Sequence, residues 1–144
     1  MSLSSGINPT EYTLTKFNEF KMKNKLAAVI FKIDKVDKQE QVVFEKEFPK
    51  NGFKQEDLIE ALPIDEGRFI YQNIDYINDD GIRVYKLISI LYCPTTAKPA
   101  KKMIYSTTYS ALNSQLGSGG IHKEIQCDCP AELSMEHILK RVKK

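Results

Sequence analysis

The sequence predicts an α/β domain of the α+β kind, one mixed sheet of about five strands sandwiched between helices. Three observations carry this expectation. Helix-like and strand-like segments alternate along the chain. Two strand-like runs, Arg68 to Tyr76 and Arg83 to Tyr92, flank Asn78-Asp79-Asp80-Gly81, a hairpin signal that makes them antiparallel neighbours. A third run, Leu26 to Ile33, is continuously apolar and rich in branched residues, as a strand covered on both faces requires.

Each element has its own signal. In the first helix Asn8 is read as the cap, Pro9 as the first helical residue and Glu11 as the closing member of a capping box. Leu14, Phe17 and Phe20 then form one apolar stripe. After the Leu26 to Ile33 strand, Asp34 to Gln39 reads as a polar turn. Gln41 to Phe48 reads as a second strand of imperfect alternation, ended by Pro49-Lys50-Asn51-Gly52. Gln55 to Leu62 is a short helix that buries Leu58, Ile59 and Leu62 and stops at Pro63.

Beyond the hairpin, Pro94 to Pro99 reads as a loop and Lys101 to Leu116 as the longest helix. Apolar or small pairs recur there every four residues, from Met103-Ile104 to Gln115-Leu116. Gly117-Ser118-Gly119-Gly120 stops it. Ile121 to Cys127 is the fifth strand. Ser134 caps a last helix with Met135, Ile138, Leu139 and Val142 at i, i+3, i+4 and i+7.

The composition fits one folded domain over residues 1–144, with a flexible tail expected over 1–7. Hydrophobic residues are 42% and charged residues 28%, which argues against disorder. A net charge of +2 gives no global pull toward nucleic acid. Charge gathers locally at the end of the last helix, in Lys140, Arg141, Lys143 and Lys144. The N-terminus lacks the basic and apolar regions of a signal peptide, and no run is long and apolar enough to span a bilayer. A cytoplasmic protein with Cys93, Cys127 and Cys129 as reduced thiols is therefore expected.

Catalytic constellations are poorly supported. His122 and His137 stand in no nucleophile pattern, and Cys127-Asp128-Cys129 is not a zinc spacing. The glycines at 117 to 120 follow a helix and do not join a strand to one, so they lack a phosphate cradle's context. The pattern alone reaches a domain that binds something.

Three segments narrow that reading. Ser5-Gly6-Ile7 is followed by Phe17-Asn18-Glu19-Phe20-Lys21. Phe69 to Tyr76 ends in an acidic residue and a tyrosine. Tyr92-Cys93-Pro94-Thr95-Thr96-Ala97 leads into Lys101-Lys102-Met103-Ile104-Tyr105-Ser106-Thr107-Thr108 and Ala111-Leu112. In order and spacing from Gly6 to Lys144, these resemble the actin-depolymerising factor/cofilin family.

The resemblance implies an actin-depolymerising factor homology domain and a monomeric actin-binding protein, with no catalysis, cofactor or metal. Its long helix would dock in the cleft between actin subdomains one and three, with the N-terminal segment beside it. On this chain the implied monomer-binding residues are Ser4, Ser5, Gly6, Ile7, Lys101, Lys102, Met103 and Ile104. Geometry adds that adjacent Met103 and Ile104 cannot both face the core. The implied filament-binding residues are Arg83, Lys86, Lys140, Arg141 and Lys144. Binding to monomeric and filamentous actin, with the ADP form preferred, would promote severing and depolymerisation. Ser5, or in second place Ser4, matches a serine phosphorylated in animal relatives, and phosphoinositides would compete for the lysine clusters.

The chain departs from the family pattern at Tyr109 and Ser110, where a Lys-Asp pair is usual, at Asn113 and Ser114, and at Ala100. The lost charge implies weaker or more salt-sensitive binding of monomers. The alternatives are a coactosin-like filament binder, a glia-maturation-factor-like ligand of the actin-branching complex, a phosphoinositide-binding module and a thiol enzyme using Cys127 or Cys129.

Overall fold

The computed structural model describes residues 6–23, 25–117 and 120–143. Ser4, Ser5 and Lys144 lie outside the described residues. Five strands form one sheet in the order β2-β1-β3-β4-β5. They are β1 (Leu26–Val36), β2 (Gln39–Pro49), β3 (Arg68–Ile77), β4 (Arg83–Tyr92) and β5 (Lys123–Cys127). All neighbours are antiparallel except β4 and β5, which are parallel and so need the long helical crossover that joins them. The helices are α1 (Glu11–Lys23), α2 (Gln55–Glu60), α3 (Pro99–Gly117) and α4 (Met135–Val142), with a 3₁₀ turn at Pro130–Leu133.

Strand alternation divides the core in two. On one face Phe17 and Phe20 of α1 and Tyr105, Tyr109 and Leu112 of α3 pack on Phe31, Phe69, Tyr71 and Leu91. On the other, Leu58 and Leu62 beside α2 and Ile138 and Val142 of α4 pack on Ile30, Ile70, Ile88 and Ile90. Burying each such aliphatic or phenylalanine side chain stabilises the fold by roughly 1.5–3 kcal/mol relative to exposing it.

The imperfect alternation of β2 has a cause. Ile30 pairs with Lys46 but Phe31 pairs with Phe44, so Glu45 is an extra residue in the ladder. This bulge puts Val42 and Phe44 under α1 and sends Phe48 to the opposite face. Arg68, buried at the start of β3, reaches Glu45 through Nε at 2.9 Å, while Lys32 Nζ stands 3.7 Å from the same carboxylate.

Several boundaries differ from expectation. The polar turn shrinks to Asp37 and Lys38, with φ of 52° and 69°, because a two-residue turn with both φ positive matches the twist of paired strands. The first helix is capped by Thr10 and not by Asn8. Thr13 N donates to Thr10 Oγ1 at 3.1 Å, while Asn8 O, Pro9 and Thr10 N hold Val42 on the edge of β2. The backbone pairing that makes Pro9 extended keeps it out of the helix. Ile7, placed by the sequence reading in a flexible tail, is buried in the α1–α3 core.

Candidate functional site

α3 is laid on the sheet by one stripe and two polar fastenings. Pro99 enters its first turn, where a missing N–H costs nothing, so the helix starts two residues before the expected Lys101. Tyr105, Thr108, Tyr109, Leu112, Asn113 and Leu116 recur every three or four residues and are all buried. Near the front, Tyr105 Oη accepts a hydrogen bond from Ile33 N at 3.1 Å. Further back, Tyr71 Oη donates to Asn113 Oδ1 at 2.6 Å, and Asn113 Nδ2 donates to Ser89 Oγ at 3.1 Å. Tyr109 Oη lies 2.8 Å from that same Oγ. Burial pushes the Tyr71 hydroxyl well above its ordinary pKa and raises that of Tyr109, so both stay neutral donors.

This network explains two of the departures from the family pattern. Tyr109 and Asn113 point into the sheet and serve packing. Their neighbours Ser110 and Ser114 are exposed.

The outward side of α3 is defined by the same geometry. Met103 is 72% exposed, whereas Ile104 is half-buried against the α1–α3 core. Lys101 is exposed, with Nζ 3.9 Å from Glu40 of β2. Lys102 is half-buried and lines a cleft with Cys93, Ser106 and Asp128. Gly6, exposed with φ of 85°, lines a second cleft together with Glu40. Glu40 thus borders the cleft that Gly6 lines and also faces Lys101 at the start of α3. Of the residues expected there, Gly6, Lys101, Lys102 and Met103 offer accessible surface. The Ile7 side chain belongs to the core.

The second expected surface spans the β3–β4 hairpin and α4. Arg83 is exposed and paired with Asp75, Nε to Oδ2 at 2.9 Å, with its guanidinium over Tyr85. Lys86 lines a cleft of about 520 Å³ with Tyr85, Asp75 and Met135, the first residue of α4. Lys143 Nζ lies 5.3 Å from the Tyr76 ring centroid, so the far end of α4 also meets β3. Lys140 is exposed, 3.6 Å from Glu136. Arg141 turns toward β5 and donates from Nη1 to Gln126 O at 2.9 Å.

Sequence reasoning missed the exposed apolar residues beside these cations: Ile77, Ile82 and Tyr85. Cross-strand pairing opposes Ile77 to Arg83 and Asp75 to Tyr85, placing all four on one sheet face. The odd-numbered period of β3 and β4 carried that signal. Ile64, 81% exposed in the loop after Pro63, was also missed, because it belongs to no period.

The thiols show no activated geometry. Cys127 is buried and pushed up to about 12 by desolvation, and burial also raises Cys93. Asp128, Cys129 and Glu132 have donor atoms within 4.8 Å of one another, but Glu132 Oε1 already accepts from Asp128 N at 3.0 Å and Cys129 Sγ at 3.7 Å. The cluster organises the start of the 3₁₀ turn. Among the described residues no helix is long and apolar enough to cross a membrane.

A single sandwiched sheet that presents one firmly seated helix and a charged hairpin defines a small binding domain. Residues 6–143 match the cofilin/tropomyosin-type actin-binding proteins. The chain is 31% identical over 138 residues to actin-depolymerizing factor 2 of rice, covering 96% of this chain and 92% of that one. It is 30% identical to actophorin of Entamoeba histolytica, covering 96% of each. The crystal structure of Streptomyces griseoflavus cofilin superposes with a TM-score of 0.80 at 25% identity, covering 95% of this chain and 97% of that one. The chain belongs to the actin-depolymerising factor/cofilin family of actin-binding proteins.

Proposed function

We propose that this protein binds actin monomers through the front of α3 and filament sides through the β3–β4 hairpin and α4, and that it promotes filament severing and depolymerisation. The observation that carries the reading is Met103. It stands 72% exposed on a helix fastened at Tyr105 and Tyr109, one turn from Pro99 and between Lys101, Lys102 and the outer hydroxyl residues. An adaptable apolar side chain on a rigid element, rimmed by cations, suits an apolar cleft in an acidic protein. The N-terminal segment around Gly6, with Ser4 and Ser5 before it, would border the same contact.

Filament binding draws on Arg83, Lys86, Lys140 and Arg141, with Lys144 following. Simultaneous contact with two protomers lets the protein select a differently twisted filament, since a ligand shifts an equilibrium by its differential affinity. ADP-actin is the preferred form. No bond is made or broken, so neither catalysis nor a cofactor is needed, and the protein works as a monomer in the cytoplasm. A phosphate on Ser5 would add about two negative charges to the docking surface and repel actin. Phosphoinositides would compete for Lys101, Lys102 and the end of α4.

One observation favours weaker monomer capture with retained filament binding. Beyond Met103 the exposed face of α3 carries Ser106, Thr107, Ser110, Ser114 and Gln115, with no charge. Co-sedimentation with filaments, paired with microscopy of filament length, tests the proposal. Binding with shortened filaments supports it; binding with unchanged lengths supports a coactosin-like activity; absence from the pellet contradicts filament binding.

A further inference from the structure

Loop 63–67, between α2 and β3, is held at three points. Tyr92 Oη donates to Pro63 O at 2.9 Å, Thr96 Oγ1 donates to Ile64 O, and Arg68 Nη1 donates to Gly67 O at 2.7 Å. From this fixed backbone the Ile64 side chain projects 81% exposed. A lone exposed apolar residue is ordinary on a protein surface. Ile64 differs in its placement. Its carbonyl is bound by the segment that leads into α3, and its loop shares a cleft of about 420 Å³ with Lys98, Lys101 and Tyr105. The cleft is walled by Asp65 and Glu66 on one side and Lys98 and Lys101 on the other, and Ile64 stands at its border, next in the chain to Asp65. An exposed apolar side chain beside a charged rim suits an interface anchor.

We infer that Ile64 is a further contact for the actin monomer, extending the α3 surface around the front of the helix onto the α2–β3 loop. The occupant is the protomer that receives Met103, because the loop is bonded to Thr96 just before α3 and borders the same cleft as Lys98 and Lys101. The inference rests on the monomer-binding reading given above. The fixed loop matters as much as the side chain, since a pre-ordered anchor loses little freedom on binding.

The test is titration of fluorescently labelled actin monomers with the unaltered protein, Ile64→Ser, Thr96→Val and Met22→Ser. Met22 is 82% exposed at the end of α1 and serves as the control. Ile64→Ser should weaken binding about tenfold, Thr96→Val by a smaller factor, and Met22→Ser by less than about twofold. Amides of residues 64–66 should also exchange hydrogen more slowly when actin is added, a readout independent of variant folding. Ile64→Ser with unchanged affinity, or unchanged exchange in the complex, overturns the inference and leaves the α3 contact standing. Failure of the unaltered protein to bind monomers overturns both.

Discussion

Gly67 lies directly against the ring of Tyr105: a Cβ on this glycine would stand 2.8 Å from the ring's Cγ. The ring has little room to yield. Its hydroxyl is bonded to Ile33 N, and its face is 4.9 Å from Phe69, centroid to centroid. Gly67→Ala should therefore lower stability by about 1–3 kcal/mol, as overpacking does. It should also disturb the front of α3, so monomer affinity should fall even where the protein remains folded. Urea unfolding measured beside monomer titration checks both outcomes.

The buried hydroxyl–amide network under α3 behaves as a unit. Asn113→Leu leaves the Tyr71 hydroxyl without its partner and takes one of two partners from Ser89 Oγ, and should cost about 1–3 kcal/mol. Tyr71→Phe removes one member more gently. Because the two residues share a bond, the double variant should lose less than the sum of the singles. A double-mutant cycle in urea measures that coupling, and strict additivity would speak against the network.

Alkaline pH should unfold the protein through the same residues. The hydroxyls of Tyr71, Tyr105 and Tyr109 are all raised above 10.0 by burial. A raised folded-state value means the unfolded chain loses these protons first. The stabilising contribution is thus intact below about pH 10 and is lost as pH rises past it toward the folded-state values. Ultraviolet titration should show buried tyrosinate appearing together with loss of helical circular dichroism. Ionisation of all tyrosines with the fold intact would contradict this.

At the start of α1, Thr10→Ala should cost about 1 kcal/mol, the usual value of a helix cap. Asn8→Ala should cost little, because Asn8 contributes its carbonyl oxygen to Val42 N, which alanine keeps. Thermal unfolding of the two variants distinguishes the caps.

The contrast between Asn8 and Thr10 shows what the sequence could disclose. β3, β4 and α4 were legible almost to the residue, since a hairpin turn, period-two runs and a capping serine are local signals. Asn8-Pro9 is an equally good local signal, but long-range pairing with Val42 overrode it. The bulge at Glu45 was visible only as a fault in alternation, because the residue that stabilises it, Arg68, is 23 positions away. The site divided similarly. That Met103 or Ile104 must face outward followed from helix geometry, whereas the inward turn of Tyr109 and Asn113 depended on Ser89 and Tyr71. Ile64 was illegible as a site residue because it belongs to no period, and exposure of such a side chain is a property of the assembled surface.

The central claim is that the exposed front of α3 is what meets actin. Its most direct test is the affinity of labelled actin monomers for Met103→Asp, measured beside the urea midpoint of the same variant. The reading requires at least about a tenfold loss of affinity with the midpoint unchanged, since a carboxylate would be desolvated at the centre of the contact. Undiminished affinity in a fully folded Met103→Asp protein would place the actin contact elsewhere on the molecule.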